Sequence, residues 1–197
     1  MFFLTERGVL MRKVCLAVAM MASMSAQAAE SYTIDPFHTY PNFEINHLGF
    51  STMHGRFGKT SGNLVIDWEK NTASVDITID AASVSTGMKK RDDHLTSPDF
   101  LNAAEFPEIT YKSTKVTINK DKTAKVDGNL TIMGVSKPVA LKVASINCGD
   151  HPMKKGTYVC GFDAEGKFKR SDFGVNYALP AVGDEMKLHI EVEAVRN

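Results

Sequence analysis

Two short polar segments contain residue types that can carry out acid–base chemistry. Arg91-Asp92-Asp93-His94 places a histidine beside carboxylates, and a histidine oriented by a carboxylate can act as a general base. The same four residues are equally typical of a charged helix surface that anchors a turn. In the second segment, Lys169-Arg170-Ser171-Asp172, we expect Arg170 beside Asp172 to hold the following loop by a charge-assisted hydrogen bond.

The histidines invite a metal-site hypothesis, but their spacing argues against it. Of the six histidines, His38 and His47 lie on opposite faces of one extended strand, and His189 lies on the polar face of another. The sequence has no HExxH pair, GxSxG nucleophile elbow, GxGxxG turn or P-loop. It therefore predicts no catalytic residue, no metal site and no cofactor, and the protein is expected not to be an enzyme.

Residues 1–28 have the organisation of a secretory signal peptide. Arg12-Lys13 is a basic pair, Val14–Met24 is an apolar run, and Ala26-Gln27-Ala28 is a small-x-small cleavage site. The apolar run is shorter than the roughly 20 residues that span a membrane. We therefore expect cleavage after Ala28, a periplasmic location and a single mature domain over residues 29–197.

The mature chain is close to neutral. Glu6, Arg7, Arg12 and Lys13 lie in residues 1–28, so 20 of the 23 basic and 22 of the 23 acidic residues remain, a net charge of about −2. Without a basic stripe, binding to nucleic acid and strong adsorption to anionic lipid surfaces are not expected. We also expect no stable membrane insertion, since no second apolar run of sufficient length follows.

Two cysteines, Cys148 and Cys160, remain after processing. An even number of cysteines in an exported chain indicates disulfide bonding. The residues between them are rich in turn formers, so the bond would staple one connection between strands. In the loop-entropy model, closing a loop of this length stabilises the fold by roughly 3 kcal/mol.

Apolar and polar residues alternate along the mature chain with a period of two, which is typical of strands with one buried face. Val75, Ile77 and Ile79, for example, alternate with Asp76 and Thr78. We count eight such segments, at about residues 31–48, 53–68, 72–86, 107–119, 123–134, 137–148, 157–170 and 184–196. Short connections make consecutive strands antiparallel neighbours. The predicted fold class is all-β, an eight-stranded antiparallel β-barrel.

One polar segment interrupts the strands. Ser97 followed by Pro98 is a typical helix start, with the serine as cap and the proline in the first helical position. This pattern predicts a short helix over Asp99–Ala104, ended by Pro107. We expect the whole helical segment to cover about residues 89–104 and to lie near one mouth of the barrel.

Three ordered blocks of residues resemble the YceI-like family. The first block is Arg91-Asp92, His94-Leu95, Ser97–Phe100, Phe106-Pro107 and Ile109-Thr110; the second is Gly161-Phe162 with Lys169–Gly174; the third is Asp35-Pro36, His38, Phe43, Ile45 and His47. The resemblance spans about residues 31–195. That family comprises secreted bacterial lipocalin-like barrels that bind polyisoprenoid lipids, so a lipocalin-like β-barrel with an isoprenoid ligand is implied.

Periodicity alone does not distinguish a filled barrel from a hollow one, but the resemblance implies a cavity. Its ligand-binding wall would consist of inward-facing residues, namely Phe43, Ile45, Val75, Ile77, Ile79, Tyr111, Leu130, Ile132, Phe162, Leu188 and Ile190. The implied function is that of a periplasmic carrier or sequestering protein for a long-chain isoprenoid lipid, quinone-like or polyprenyl. Two alternatives stay open: an enzyme that acts on a lipid or a small exported substrate, and a filled barrel that acts through surface contacts. An exposed strand edge or mouth can also support a homodimer.

Overall fold

A computed structural model describes residues 29–197, so the predicted signal peptide lies outside the described residues. The helix α1 covers Lys89–Leu95. The strands are β1 (Glu30–Ile34), β2 (Tyr40–His47), β3 (Ser51–Phe57), β4 (Thr60–Asp67), β5 (Thr72–Asp80), β6 (Val84–Ser85), β7 (Glu108–Ile118), β8 (Ala124–Ile132), β9 (Val135–Asp150), β10 (Tyr158–Lys169) and β11 (Glu185–Arg196). Within residues 29–197, none of the helical segments is long and apolar enough to cross a membrane.

All strands belong to one antiparallel sheet that closes on itself. β1 pairs with β4 on one side and with β11 on the other, and β5, β7, β8, β9 and β10 connect those two neighbours in that order. β2, β3 and β6 continue the same sheet from β11. Eight strands complete the ring, so the predicted eight-stranded antiparallel β-barrel is confirmed.

Each of the first three predicted strands is divided in two. Residues 31–48 form β1 and β2, residues 53–68 form β3 and β4, and residues 72–86 form β5 and β6. At the first division, the Asp35 side chain accepts a hydrogen bond from the Phe37 N–H at 2.9 Å, which turns the chain out of the strand. One half of each divided strand, namely β2, β3 and β6, stands outside the closed ring. These three halves still pair with one another, β2 with β3 and β3 with β6, so the strand order is kept across the breaks.

The helical segment differs from the prediction. α1 covers Lys89–Leu95, its cap position is Met88, and Ser97 lies beyond its end. The predicted helix over Asp99–Ala104 is wrong, since these residues form turns and irregular backbone. The Asn102 N–H donates to the carbonyl of Ser97, five residues earlier, and Asn102 has a left-handed φ of 45°. The chain therefore folds back onto the end of α1 instead of making the regular four-residue helical bonds.

One end of the barrel is filled by side chains. The group consists of Tyr32, Ile34, Leu64, Ile66, Cys160 and Ala194, all of them buried. Cys148 and Cys160 lie directly opposite each other on β9 and β10, and they form the predicted disulfide bond. The disulfide therefore joins two neighbouring strands at the filled end.

Glu30 collects several hydrogen bonds at the same end. It accepts from the hydroxyl of Tyr32, from Nε1 of Trp68 at 2.9 Å and from Nη1 of Arg196 at 3.0 Å. These bonds lower the pKa of Glu30, and the bond from Tyr32 has the largest effect on it. The carboxylate thereby ties the beginning of β1 to the end of β11, where the barrel closes.

Candidate functional site

The barrel encloses a cavity of about 450 Å³. This volume lies within the range of roughly 300–1,000 Å³ that is usual for small-molecule sites. Side chains from β2 to β11, from α1 and from the loop of residues 174–184 form its wall, and most of them are apolar. The barrel is therefore hollow, as the family resemblance implied.

All eleven residues predicted from inward parity lie on the wall of this cavity. They come from β2, β5, β7, β8, β10 and β11 and are Phe43, Ile45, Val75, Ile77, Ile79, Tyr111, Leu130, Ile132, Phe162, Leu188 and Ile190. The structure thus brings the whole predicted set together around one space. Their contact with a lipid stays a prediction.

Two aromatic residues of this set occupy space that a glycine leaves open. The ring of Phe43 covers Gly55, and the ring of Tyr111 covers Gly128, where a Cβ atom would lie 2.6 Å from Tyr111 Cζ. The Tyr111 hydroxyl donates to the carbonyl of Val139 at 2.9 Å, and burial raises the pKa of Tyr111 to about 12. The phenol is therefore neutral at physiological pH and contributes an apolar ring face to the wall.

Three rings from two distant parts of the chain meet at the edge of the cavity, and we name His94, Phe100 and Tyr177 the mouth trio. His94 packs edge-on against Phe100 and Tyr177 at centroid distances of 5.0 and 5.1 Å, and the other two rings lie 5.2 Å apart. His94 Nε2 lies 2.8 Å from Asp99 Oδ2. All three rings line the cavity, and Tyr177 is 47% exposed. The trio therefore lies between the cavity and solvent.

A buried arginine holds the loop of residues 174–184. The guanidinium of Arg170, which is 4% exposed, donates to the backbone carbonyls of Gly183 (2.8 Å), Val175 (2.9 Å), Tyr177 (2.9 Å) and Val182 (3.1 Å). Burial lowers the pKa of Arg170, and the nearby Asp184 opposes that shift. The charge-assisted hydrogen bonding expected between Arg170 and the following loop is present, with backbone carbonyls as the acceptors.

Arg91 anchors the start of α1 in a similar way. Its Nε donates to Thr86 Oγ1 at 2.6 Å and its Nη2 to the Thr86 carbonyl at 2.8 Å, while Asp92 accepts from the Thr86 N–H at 2.8 Å. Asp93 pairs with Lys89 at 2.7 Å on the helix surface. These contacts agree with the interpretation of residues 91–94 as a turn anchor.

Among residues 29–197, one group of side chains has the geometry to hold a metal ion, and it consists of Asp35, His38 and Glu193. None of the three lines the cavity. His38 Nδ1 lies 2.8 Å from Asp35 Oδ2 and 3.9 Å from Glu193 Oε2. The hydrogen bond that His38 makes to the Asp35 carboxylate raises the pKa of His38. His38 is therefore already hydrogen-bonded to Asp35 within this surface cluster.

Sequence reasoning missed the polar part of the cavity wall. Thr39, Thr60 and Arg170 line the cavity and are buried. Strand parity contained a signal for Thr60, which shares its face of β4 with the buried Leu64. Tyr177 lies in a loop, where no periodicity applies, so its place in the mouth trio had no sequence signal.

The family model described as YceI-like domain matches residues 32–194, which is nearly all of the described chain. The chain belongs to the YceI-like family. Protein YceI of Escherichia coli O157:H7 is 41% identical over 182 residues, which cover 90% of this chain and 93% of that protein. The resemblance of the three sequence blocks is therefore confirmed.

Solved structures of two other proteins share the fold. The Campylobacter jejuni YCEI protein is 33% identical, with a TM-score of 0.66 over 77% of this chain and 90% of that one. A polyisoprenoid binding domain from Saccharophagus degradans is 15% identical, with a TM-score of 0.62 over 85% of this chain and 99% of that one. The barrel is thus kept even where sequence identity is low.

Proposed function

We propose that the protein is a periplasmic carrier or sequestering protein that binds a long-chain isoprenoid lipid in the barrel cavity. The observation that carries this proposal is the apolar cavity of about 450 Å³. Buried side chains fill the barrel at one end, and the mouth trio borders the cavity towards solvent. A lipid tail can enter such a space lengthwise, with its head group towards the mouth.

Burial of hydrocarbon supplies the affinity. Each CH₂ group removed from water contributes about 0.8 kcal/mol before the cost of ordering the chain. Several isoprene units therefore bind well without a charged contact, and affinity should depend more on tail length than on the head group. The Saccharophagus degradans neighbour, described as a polyisoprenoid binding domain, has the same fold and supports this ligand class.

The periplasmic location rests on two features of the chain. The Cys148–Cys160 disulfide is of the kind that persists in oxidising compartments, and residues 1–28 have the organisation of a signal peptide. Amino-terminal sequencing of the protein from a periplasmic fraction should give Ala29 as the first residue. Protein that retains residues 1–28 in that fraction would contradict cleavage.

We favour a carrier over an enzyme because the two arginines of the cavity wall are hydrogen-bonded within the protein. Arg91 is bound to Thr86, and Arg170 is bound to loop carbonyls. A second candidate function, an enzyme that acts on the bound lipid, has one observation in its favour. His94 lines the cavity and is hydrogen-bonded to Asp99, as a general base would be.

Paired charge substitutions on β5 test the proposal. Ile77→Asp places a carboxylate on the cavity wall, and Ser74→Asp places the same group at an exposed position of the same strand. Purified wild-type protein and the Ser74→Asp variant should bind a labelled isoprenoid lipid and transfer it unchanged between vesicles. Ile77→Asp should lose binding, because a buried carboxylate is strongly disfavoured beside a hydrocarbon chain.

Two results would contradict this reading of the cavity. A folded Ile77→Asp protein that still co-purifies with a full complement of lipid would show that the lipid binds elsewhere. Chemical conversion of the labelled lipid by the wild type, lost in a His94→Ala variant, would replace the carrier by the enzyme. Circular dichroism establishes that each variant retains the strand content of the wild type.

A further inference from the structure

The turn between β2 and β3 exposes two large apolar side chains, and we name Leu48, Gly49 and Phe50 the hairpin tip. Phe50 is 88% exposed and Leu48 is 47% exposed. Hydrogen bonds fix the turn, since the Phe50 N–H donates to the His47 carbonyl at 3.0 Å and the Gly49 N–H donates to Asn46 Oδ1 at 2.9 Å. The two apolar side chains are therefore held out in solvent by a well-defined turn.

Leu48 occupies a backbone conformation that disfavours leucine. Its φ is 57°, in the left-handed region, where glycine and asparagine are favoured and a bulky side chain is strained. Because Leu48 is also exposed, its side chain gains little from burial in the fold. An apolar residue kept at a strained, exposed position indicates a contact with something outside the chain.

The hairpin tip lies at the mouth of the cavity. His47, directly before the tip, lines the cavity and pairs with Val182, which lines it as well. The Leu48 N–H donates to the Ala181 carbonyl at 3.0 Å, which ties the tip to the loop of residues 174–184. The same loop carries the tyrosine of the mouth trio. The hairpin tip and this loop therefore form one continuous part of the rim.

This part of the rim has no ionic side chains. Neither residues 45–53 nor residues 176–183 contain Asp, Glu, Lys or Arg, although these types make up 23% of the chain. Protein partners are usually selected by complementary charges across an interface. An uncharged rim with an exposed phenylalanine and tyrosine is instead suited to the interfacial region of a bilayer, where aromatic side chains are enriched and no charge has to be desolvated.

The exposed apolar area also favours a bilayer over a second copy of the chain. At their observed exposures, Phe50 and Leu48 present roughly 250 Å² of surface, whereas a stable protein interface buries about 800 Å² on each partner. A fluid hydrocarbon layer needs no complementary surface, so a tip of this size can enter it. Such an anchor is weak and reversible, because its strength scales with the apolar area that it buries.

We propose that the hairpin tip docks the mouth of the barrel on the surface of a phospholipid bilayer, with Phe50 and Leu48 inserted among the acyl chains. This inference rests on the proposed function, because docking would bring the cavity to the membrane that holds its lipid. The lipid tail would then pass between membrane and cavity without crossing water, where exposed hydrocarbon is strongly disfavoured. Since apolar burial drives the docking, it should depend neither on anionic lipid nor on salt.

Two variants of the tip and one matched control test the proposal. Phe50→Ser removes the exposed ring, and Leu48→Asn introduces a residue that tolerates a left-handed φ. Phe37→Ser makes the same change as Phe50→Ser at a position that is 77% exposed, in the turn that follows Ile34 of the filled end.

Three measurements are made on each mature protein. Sedimentation with vesicles of phosphatidylcholine, with or without phosphatidylglycerol, measures docking in the absence of a cavity ligand. Displacement of the fluorescent hydrocarbon diphenylhexatriene by farnesol measures ligand binding in solution without vesicles. Thermal melting measures stability.

Phe50→Ser should weaken vesicle binding roughly tenfold, because it removes most of the inserted apolar area. Leu48→Asn should weaken it by a smaller factor and should melt at or above the wild-type temperature, since asparagine relieves the backbone strain at this position. Phe37→Ser should bind vesicles as the wild type does. All the proteins should bind farnesol in solution with the same affinity, and both tip variants should transfer labelled isoprenoid lipid between vesicles more slowly.

The inference is wrong if the wild type binds neither kind of vesicle, if Phe50→Ser binds as tightly as the wild type, or if Phe37→Ser weakens binding equally. Binding that requires phosphatidylglycerol and disappears at high salt would show that charged residues make the contact in place of the tip. A wild-type dimer that Phe50→Ser dissociates, without vesicle binding, would assign the tip to a second copy of the chain. A wild type that docks on vesicles but binds neither farnesol nor the labelled lipid would refute the proposed function and leave the docking site in place, so the two failures are distinguishable.

Discussion

Replacing Arg170 with methionine tests whether the loop of residues 174–184 depends on one buried guanidinium. Methionine keeps an apolar stem and removes every donor, which leaves four loop carbonyls without this partner. Hydrogen bonds to a charged group contribute about 1.5–3 kcal/mol each, and several kcal/mol of guanidinium desolvation oppose them. Water can replace some bonds, since Tyr177 in this loop is 47% exposed. We therefore expect the free energy of unfolding to fall by about 3–5 kcal/mol.

Urea unfolding measures this loss, and hydrogen–deuterium exchange locates it. The Gly183 N–H donates to the Asn46 carbonyl, so amide exchange should become faster where the loop meets β2 as well as within residues 174–184. Lys169→Met is the matched control, because Lys169 is exposed and adjacent; it should stay within about 0.5 kcal/mol of the wild type. If Arg170→Met unfolds within about 1 kcal/mol of the wild type and its loop amides exchange at wild-type rates, the assigned role of the guanidinium is wrong.

Two further predictions concern the surface and the filled end of the barrel. Replacing Cys148 and Cys160 with alanine should lower the free energy of unfolding by about 3 kcal/mol, because the bond closes a loop with a sequence separation of 12. Lipid affinity should not change, since neither residue lines the cavity; equal stability in urea, or weaker binding in a lipid titration, would contradict this. The pKa of His38, measured by NMR titration, should lie above its ordinary value of 6.5, and Asp35→Asn should lower it because that hydrogen bond is the main cause. The contribution of His38 to stability is then fully present below pH 6.5 and is lost as the pH rises through the raised folded-state pKa; a titration unaffected by Asp35→Asn would refute the pairing.

The strands and the faces of their side chains follow from local sequence. Successive side chains of a strand point to opposite faces, so parity identifies an inward face without any knowledge of the neighbouring strands. This is why Ile77, Leu130 and Ile190, on three separate strands, could be assigned to the inward face of the barrel, while the cavity itself was implied by the family resemblance. The disulfide was predictable for a different reason. Only Cys148 and Cys160 remain after the predicted cleavage, which leaves one pairing.

The path of the chain between α1 and β7 was decided by tertiary structure. Ser97-Pro98 is a sound local helix signal, yet the Asn102 N–H bonds back to the Ser97 carbonyl and the predicted helix does not form. A local helix signal competes with the hydrogen bonds that the chain can make in the folded structure. Here the bonds that turn the chain back onto α1 form in place of the predicted helix. The mouth trio depends on the same return of the chain, because it brings Phe100 back beside His94. Tyr177 reaches the same place from a distant loop.

The hollow interior and its polar groups also depend on the assembled barrel. Its open volume is set by side chains from many strands together, so no single alternating segment distinguishes a filled barrel from a cavity of about 450 Å³. Whether a buried hydroxyl finds a partner depends on what the neighbouring strands bring beside it. Thr39 meets the backbone of Glu193, whereas no described residue forms a hydrogen bond with the buried hydroxyl of Thr60. The sequence by itself determined which residues face inward, and only the tertiary structure decided what those residues surround.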